Sequence, residues 1–237
     1  MTIDTRPLSY TIDGNEYEAV VASSGGGPKP GVLVCHAWAG RSGFEAGKAK
    51  ALAGLGYTGI AIDLYGKGVL GSSTEENQKL MTPFVEDRAM LQSRLLNIIG
   101  IVKEQKEVDA AKIGIIGFCF GGLCALDIAR TGADIAGVVS FHGLFGAPGN
   151  TGGRKINAKV LALHGWDDPM APPKDVEALG KELTEAGADW QIHAYGGTMH
   201  AFTNPDANDP GFGTVYNEAA DKRSWAAMES FLSEIFG

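Results

Sequence analysis

Cysteine is scarce, with only Cys35, Cys119 and Cys124 in 237 residues. An odd count, with Cys35 inside an apolar run, excludes the disulfide frameworks that staple small secreted domains. Cys119 and Cys124 are five apart, too far round a helix for an easy bridge. No C-x-x-C, H-x-H or H-x-x-x-H spacing is present, so no metal and no other cofactor is expected. Positive charge is also short, 20 basic against 28 acidic residues for a net charge of −8. That balance argues against nucleic acid or an anionic membrane as partner. No apolar run approaches the roughly 20 residues of a membrane-spanning helix. The start, Met1-Thr-Ile-Asp-Thr-Arg-Pro7, lacks the apolar core of a leader, and a cytoplasmic location is expected. Internal repeats are missing. The glycine triplet Gly25 to Gly27 is followed by no lysine and helix in register, which excludes a phosphate loop.

What is present suits one α/β domain over residues 1–237, since 44% apolar content at this length can bury a full core. Residues Leu8 to Ser23 place β-formers on both sides of Ile12-Asp13-Gly14-Asn15 and predict an edge hairpin. Strands are predicted at Val32–Cys35, Tyr57–Ile62, Lys112–Gly117, Ile135–Phe141, Lys159–His164 and Trp190–Ala194. Helices are predicted from Phe44 to Gly56, Phe84 to Lys106, Gly122 to Arg130, Pro173 to Ala186 and Tyr216 to Phe236. The stretch Gly66 to Asn77 reads as a surface loop, with Pro83 in the first turn of the long helix that follows. Alternating strands and helices predict a mostly parallel sheet covered on both faces, with the hairpin as its antiparallel edge.

The candidate chemistry collects where such a sheet places it, at the carboxyl ends of strands. Gly117-Phe118-Cys119-Phe120-Gly121-Gly122 joins a strand directly to a helix and reads as a nucleophile elbow carrying a thiol. The helix N-terminus beneath it favours a thiolate. Asp167 and Asp168 follow a later strand and His200 follows the last one. Nucleophile, acid, histidine is the chain order of the α/β-hydrolases.

These segments resemble the dienelactone hydrolase (carboxymethylenebutenolidase) family over nearly the whole chain. The resemblance rests on Gly117-Phe-Cys-Phe-Gly-Gly122, on His164-Gly-Trp-Asp-Asp168-Pro-Met-Ala-Pro172 and on Gly197-Thr-Met-His200-Ala-Phe202. Asp63-Leu64-Tyr65 and His36-Ala37-Trp38-Ala39-Gly40 are similar to further segments of that family. It implies an α/β-hydrolase fold and a Cys119, His200, Asp168 triad, with Asp168 preferred over Asp167. It also implies an oxyanion hole made by the backbone N–H groups of Phe120 and Trp38.

Two departures bear on substrate. Where the family resemblance implies a glutamate that pairs with the resting thiol, this chain has Ala37. Where it implies an arginine for a substrate carboxylate, four residues after the triad histidine, this chain has Asn204. A second family arginine has Asn77 or Lys79 as its nearest candidates. The expected substrate is therefore a small neutral ester or lactone rather than dienelactone itself. Ala37, Trp38, Tyr65, Phe118, Phe120, Phe141, His142, Trp166, Phe202 and Asn204 are candidate pocket walls. His36 and His164 end strands and read as hydrogen-bonded core histidines, while Asn204, Asp206, Asn208 and Asp209 read as a turn cluster. A thiol-based redox or electrophile-binding protein using Cys119 is the alternative reading. A monomer or weak homodimer is expected.

Overall fold

The computed structural model describes residues 2–237; residue 1, part of the Met1 to Pro7 stretch, lies outside the described residues. Among the described residues, eight longer strands alternate with six helices in a mixed α/β fold in which parallel pairing predominates. The chain packs as two compact units, residues up to Ile116 and Gly117–Gly237.

The first unit starts with the hairpin β1 (Asp4–Ile12) and β2 (Asn15–Ser23), paired antiparallel in full register from Asp4↔Ser23 to Ile12↔Asn15. Asp13 and Gly14 both have positive φ, 51° and 78°, the backbone a two-residue hairpin loop of this twist requires. β2 also pairs antiparallel with β4 (Thr58–Ala61), which pairs in parallel with β3 (Lys29–Cys35). Both β3 and β4 are nearly all buried, matching their continuous apolar sequences. Helix α1 (Gly43–Gly54) begins with a capping box: Ser42 accepts from Phe44 N–H while Glu45 reaches back to the Ser42 N–H. Asp63, just past β4, accepts backbone N–H bonds from Glu18, Tyr65 and Gly66 and so pins the Asp63-Leu64-Tyr65 turn.

The stretch after that turn departs from expectation. Instead of a loop reaching Asn77 and one helix from Phe84 to Lys106, two helices form: α2 (Thr74–Glu86) and α3 (Arg88–Lys103). The reason is capping. Ser73 accepts from Glu76 N–H and starts α2, and Asp87, at φ −115° and ψ 82°, ends it and accepts from Met90 N–H to start α3. Pro83 therefore lies inside α2, one turn before its end, where the N–H it lacks costs a single helical bond.

Strand β5 (Val108–Phe118) carries the chain into the second unit, where α4 (Phe120–Arg130) follows after one residue. There β6 (Gly137–Phe141), β7 (Lys159–Gly165) and β8 (Trp190–Tyr195) pair in parallel. The alternation of β6 sets its two faces. On one, Ser140 lies against Gly122 of α4; on the other, Gly137 meets Phe231 and Ile235 of α6 (Glu218–Phe236), and Phe141 meets Trp225. The sheet of this unit is thus covered on both sides, as the apolar β6 sequence requires. Helix α5 (Pro173–Glu185) packs on β8, with Gly180 under the Trp190 ring. Two short strands not visible in the sequence pattern, β9 (Asn208–Asp209) and β10 (Thr214–Val215), pair between β8 and α6. Among the described residues no helix is long and apolar enough to cross a membrane.

Candidate active site

Cys119 occupies a single-residue corner between β5 and α4 at φ 55° and ψ −117°, a conformation costly for any residue with a Cβ. The strain lies on the cysteine itself, and the surrounding glycines have another purpose. A Cβ on Gly117 would collide with the Gly121 carbonyl, and one on Gly122 would reach 2.6 Å from Ser140 Oγ and 2.7 Å from Gly143 Cα. The glycines let helix, strand and neighbouring loop approach closely enough for the corner to exist. Cys119 is partly exposed, whereas Cys35 and Cys124 are buried. Burial pushes the Cys35 thiol up to about 12, leaving it an inert core residue.

The acid and the histidine arrive from separate loops of the same unit. Asp168 follows β7 and is 1% exposed; its Oδ1 accepts from Met170 N–H at 2.8 Å and its Oδ2 lies 2.7 Å from His200 Nδ1. Asp167 beside it is exposed. His200 follows β8 and is 2% exposed. Its backbone is held by β10, donating from its N–H to Gly213 O and accepting from Val215 N–H, and Gly213 has φ +85° with the Pro169 ring packed where a Cβ would go. Gly213 and Pro169 therefore lock the acid loop to the histidine loop. Nothing in the spacing of these residues announces that contact.

Burial alone would lower the His200 pKa, but the charge of Cys119 and the hydrogen bond to Asp168 outweigh it and raise the ring to about 10. Cys119 is close enough to act on the ring through charge and hydrogen bonding, although Nε2 makes no hydrogen bond of regular geometry. Such contacts commonly tighten only with substrate present.

His142 is buried, with Nδ1 3.1 Å from Cys119 N and Nε2 2.8 Å from Thr203 Oγ1. Phe202 is fully buried with its ring edge-on to His142, and Trp166 is 45% exposed. Asn204 spends its side-chain oxygen on Asp206 N–H, and Asp209 accepts from Phe212 N–H, so this polar run forms turns. Phe118 and Phe141 stack on each other inside the unit, and Phe120 is fully buried. Ala37, Trp38 and Tyr65 belong to the first unit, where the Tyr65 hydroxyl donates to Trp38 O and Ala37 N–H donates to the buried Glu45. Glu45 is a residue the sequence reading passed over; the Ser42-x-x-Glu45 spacing was its signal. Asn77 and Lys79 both lie on α2.

The core histidines split. His36 is hydrogen-bonded as expected, through Ala37 O and Leu64 N–H. His164 corrects the expectation: it is fully buried, yet neither ring nitrogen has a hydrogen-bond partner among the described residues. Burial lowers its pKa, an effect the nearby Asp168 opposes and His200 adds to.

A thiol on a strained strand-to-helix corner, an acid after one parallel strand and a histidine after the next define the α/β-hydrolase class. The chain belongs to the dienelactone hydrolase family, whose family model matches residues 17–236, and is an ester or lactone hydrolase of that kind. It is 33% identical to a solved dienelactone hydrolase-like promiscuous phosphotriesterase from metagenomic libraries, with a TM-score of 0.92 over 99% of both chains. It is 27% identical over 210 residues to a candidate carboxymethylenebutenolidase of Aquifex aeolicus, covering 86% of this chain and 87% of that protein. A further relative, 26% identical over 209 residues (84% of this chain, 81% of the other), is described in Bradyrhizobium as a 2-oxo-3-(5-oxofuran-2-ylidene)propanoate lactonase candidate.

Proposed function

We propose that the chain hydrolyses small neutral esters or lactones through an acyl-thioenzyme at Cys119. One observation carries this reading: a buried His200–Asp168 pair at 2.7 Å whose imidazole is raised to about 10 by Cys119 and Asp168 together. In the proposed sequence the Cys119 sulfur attacks the carbonyl carbon, the bond to the leaving alkoxide breaks, and the His200 imidazolium supplies that alkoxide's proton. Water then attacks the thioester as His200 removes its proton, the C–S bond breaks, and the carboxylic acid leaves. The Phe120 N–H, at the first turn of α4, is the proposed oxyanion donor of this unit, a contribution on the order of 3 kcal/mol. Ala37 and Asn204, in place of the glutamate and arginine of the family pattern, support a neutral substrate over dienelactone.

Cys119→Ala and His200→Ala are each expected to lose most turnover on a small aryl ester, on the order of a thousandfold or more. Unchanged turnover in Cys119→Ala would overturn the mechanism. A strong preference for carboxylated lactones would overturn the substrate reading. Peroxide sensitivity of Cys119 without ester turnover would select a redox protein instead. Neutral phosphate triesters belong in the same screen, because the solved relative is described as a promiscuous phosphotriesterase.

A further inference from the structure

Among the described residues, four that are not glycine have positive φ: Asp13 in the hairpin turn, and Cys119, His142 and Ala201. Cys119 is the corner itself and Ala201 directly follows His200. His142 has no place in the hydrolytic scheme, yet its backbone is held at φ 38° immediately after β6. Strain of this kind persists only where the surroundings enforce it.

The surroundings of His142 reach every element that carries the proposed triad. Its backbone N–H donates to Leu163 O at 2.8 Å, on β7, the strand that leads to Asp168. Its Nδ1 lies 3.1 Å from the backbone nitrogen of Cys119, which also donates to Phe141 O at 3.0 Å. An amide nitrogen can only donate, so Nδ1 must present its lone pair, and the neutral ring carries its proton on Nε2. Nε2–H then donates to Thr203 Oγ1 at 2.8 Å, a buried hydroxyl three residues after His200. The ring itself lies edge-on to His200 and Phe202, each 5.1 Å between centroids.

We infer that His142 is a positioning residue for hydrolysis: as the neutral Nε2–H tautomer it ties the Cys119 corner to the His200–Thr203 loop and fixes how sulfur and imidazole meet. The inference rests on Cys119 as nucleophile. Its physical basis is that a small misplacement of nucleophile against base lowers the rate steeply while leaving substrate binding in place.

Three variants and one spectrum test it. His142→Phe fills the space but offers neither acceptor nor donor, and Thr203→Val removes only the outer acceptor. His142→Asn returns an acceptor near the Nδ1 position and tolerates positive φ better than most residues. His142→Phe is expected to lower kcat roughly 10- to 100-fold with KM within about threefold, and to alter the pH profile of Cys119 alkylation; Thr203→Val does the same to a lesser degree. His142→Asn should recover most of the loss. A His142→Phe kcat within about twofold of wild type, or His142→Asn no better than His142→Phe at equal Tm, overturns the inference. Imidazole nitrogen NMR of the unmodified protein at pH 7 needs no variant to fold: a proton on Nε2 supports the tie, and one on Nδ1 overturns it. Cys119→Ala, run alongside, fails separately, because full turnover there overturns the nucleophile reading while the tautomer reports on His142 alone.

Discussion

Asp167 and Asp168 are adjacent in sequence and chemically identical, and only their surroundings separate them. Asp167 faces solvent; Asp168 is buried, holds Met170 N–H on one oxygen and His200 on the other. A carboxylate in that position fixes the imidazole tautomer and favours its charged form. With the His200 pKa raised to about 10, the ring keeps its proton through neutral pH and loses it as pH rises through that value. In the proposed mechanism that proton goes to the leaving group, so kcat/KM is expected to fall on the alkaline side near pH 10. Asp168→Asn removes the carboxylate's contribution, so the alkaline limb should move to lower pH and kcat drop by roughly 100-fold or more. A pH–rate profile of both proteins checks this, and an unmoved limb would show that Asp168 does not govern the ring.

At the scale of elements, α4 carries the corner at one end and a buried ion cluster at the other. Arg130, in its last turn, is 2% exposed and donates to Asp127 at 3.2 Å, to Glu182 of α5 at 2.8 Å and to Phe145 O. A cation here also complements the carboxyl end of the helix dipole. Arg130→Met keeps most of the volume but strips the buried Asp127 of its cation, and is expected to destabilise the fold by about 3–5 kcal/mol, read as a lower urea midpoint. The discount falls on Glu182, whose side chain remains partly solvated. The same scale shows where pattern reading fails. Hydrophobic periodicity runs through Asp87 without interruption, so the last residues of α2 and all of α3 look like one helix; the local competition of the Asp87 carboxylate for Met90 N–H divides them.

For the whole molecule the net charge of −8 is the property most directly carried from sequence to behaviour. A field of that sign repels anionic substrates over distances that salt shortens, from a Debye length of about 30 Å at 0.01 M to about 8 Å at 0.15 M. Raising ionic strength across that range is expected to increase kcat/KM for a carboxylated ester while leaving its neutral methyl ester unchanged. Steady-state assays with such a pair check it, and equal salt response of the two would argue against the charge acting on association. By itself the sequence determined the order and type of almost every strand and helix, because binary patterning and turn residues act over a few positions. It also placed Cys119, Asp168 and His200 at strand ends in α/β-hydrolase order. Only tertiary structure decided which acid is buried, that Gly213 and Pro169 clasp two loops 44 residues apart, and that His142 lies under the corner. These are contacts between segments distant in the chain, and their energy depends on burial and hydrogen-bond geometry that no local pattern encodes. The glycines around Cys119 were legible as a motif; that the cysteine bears the strain and the glycines the close packing became clear only once strand, helix and loop were in place.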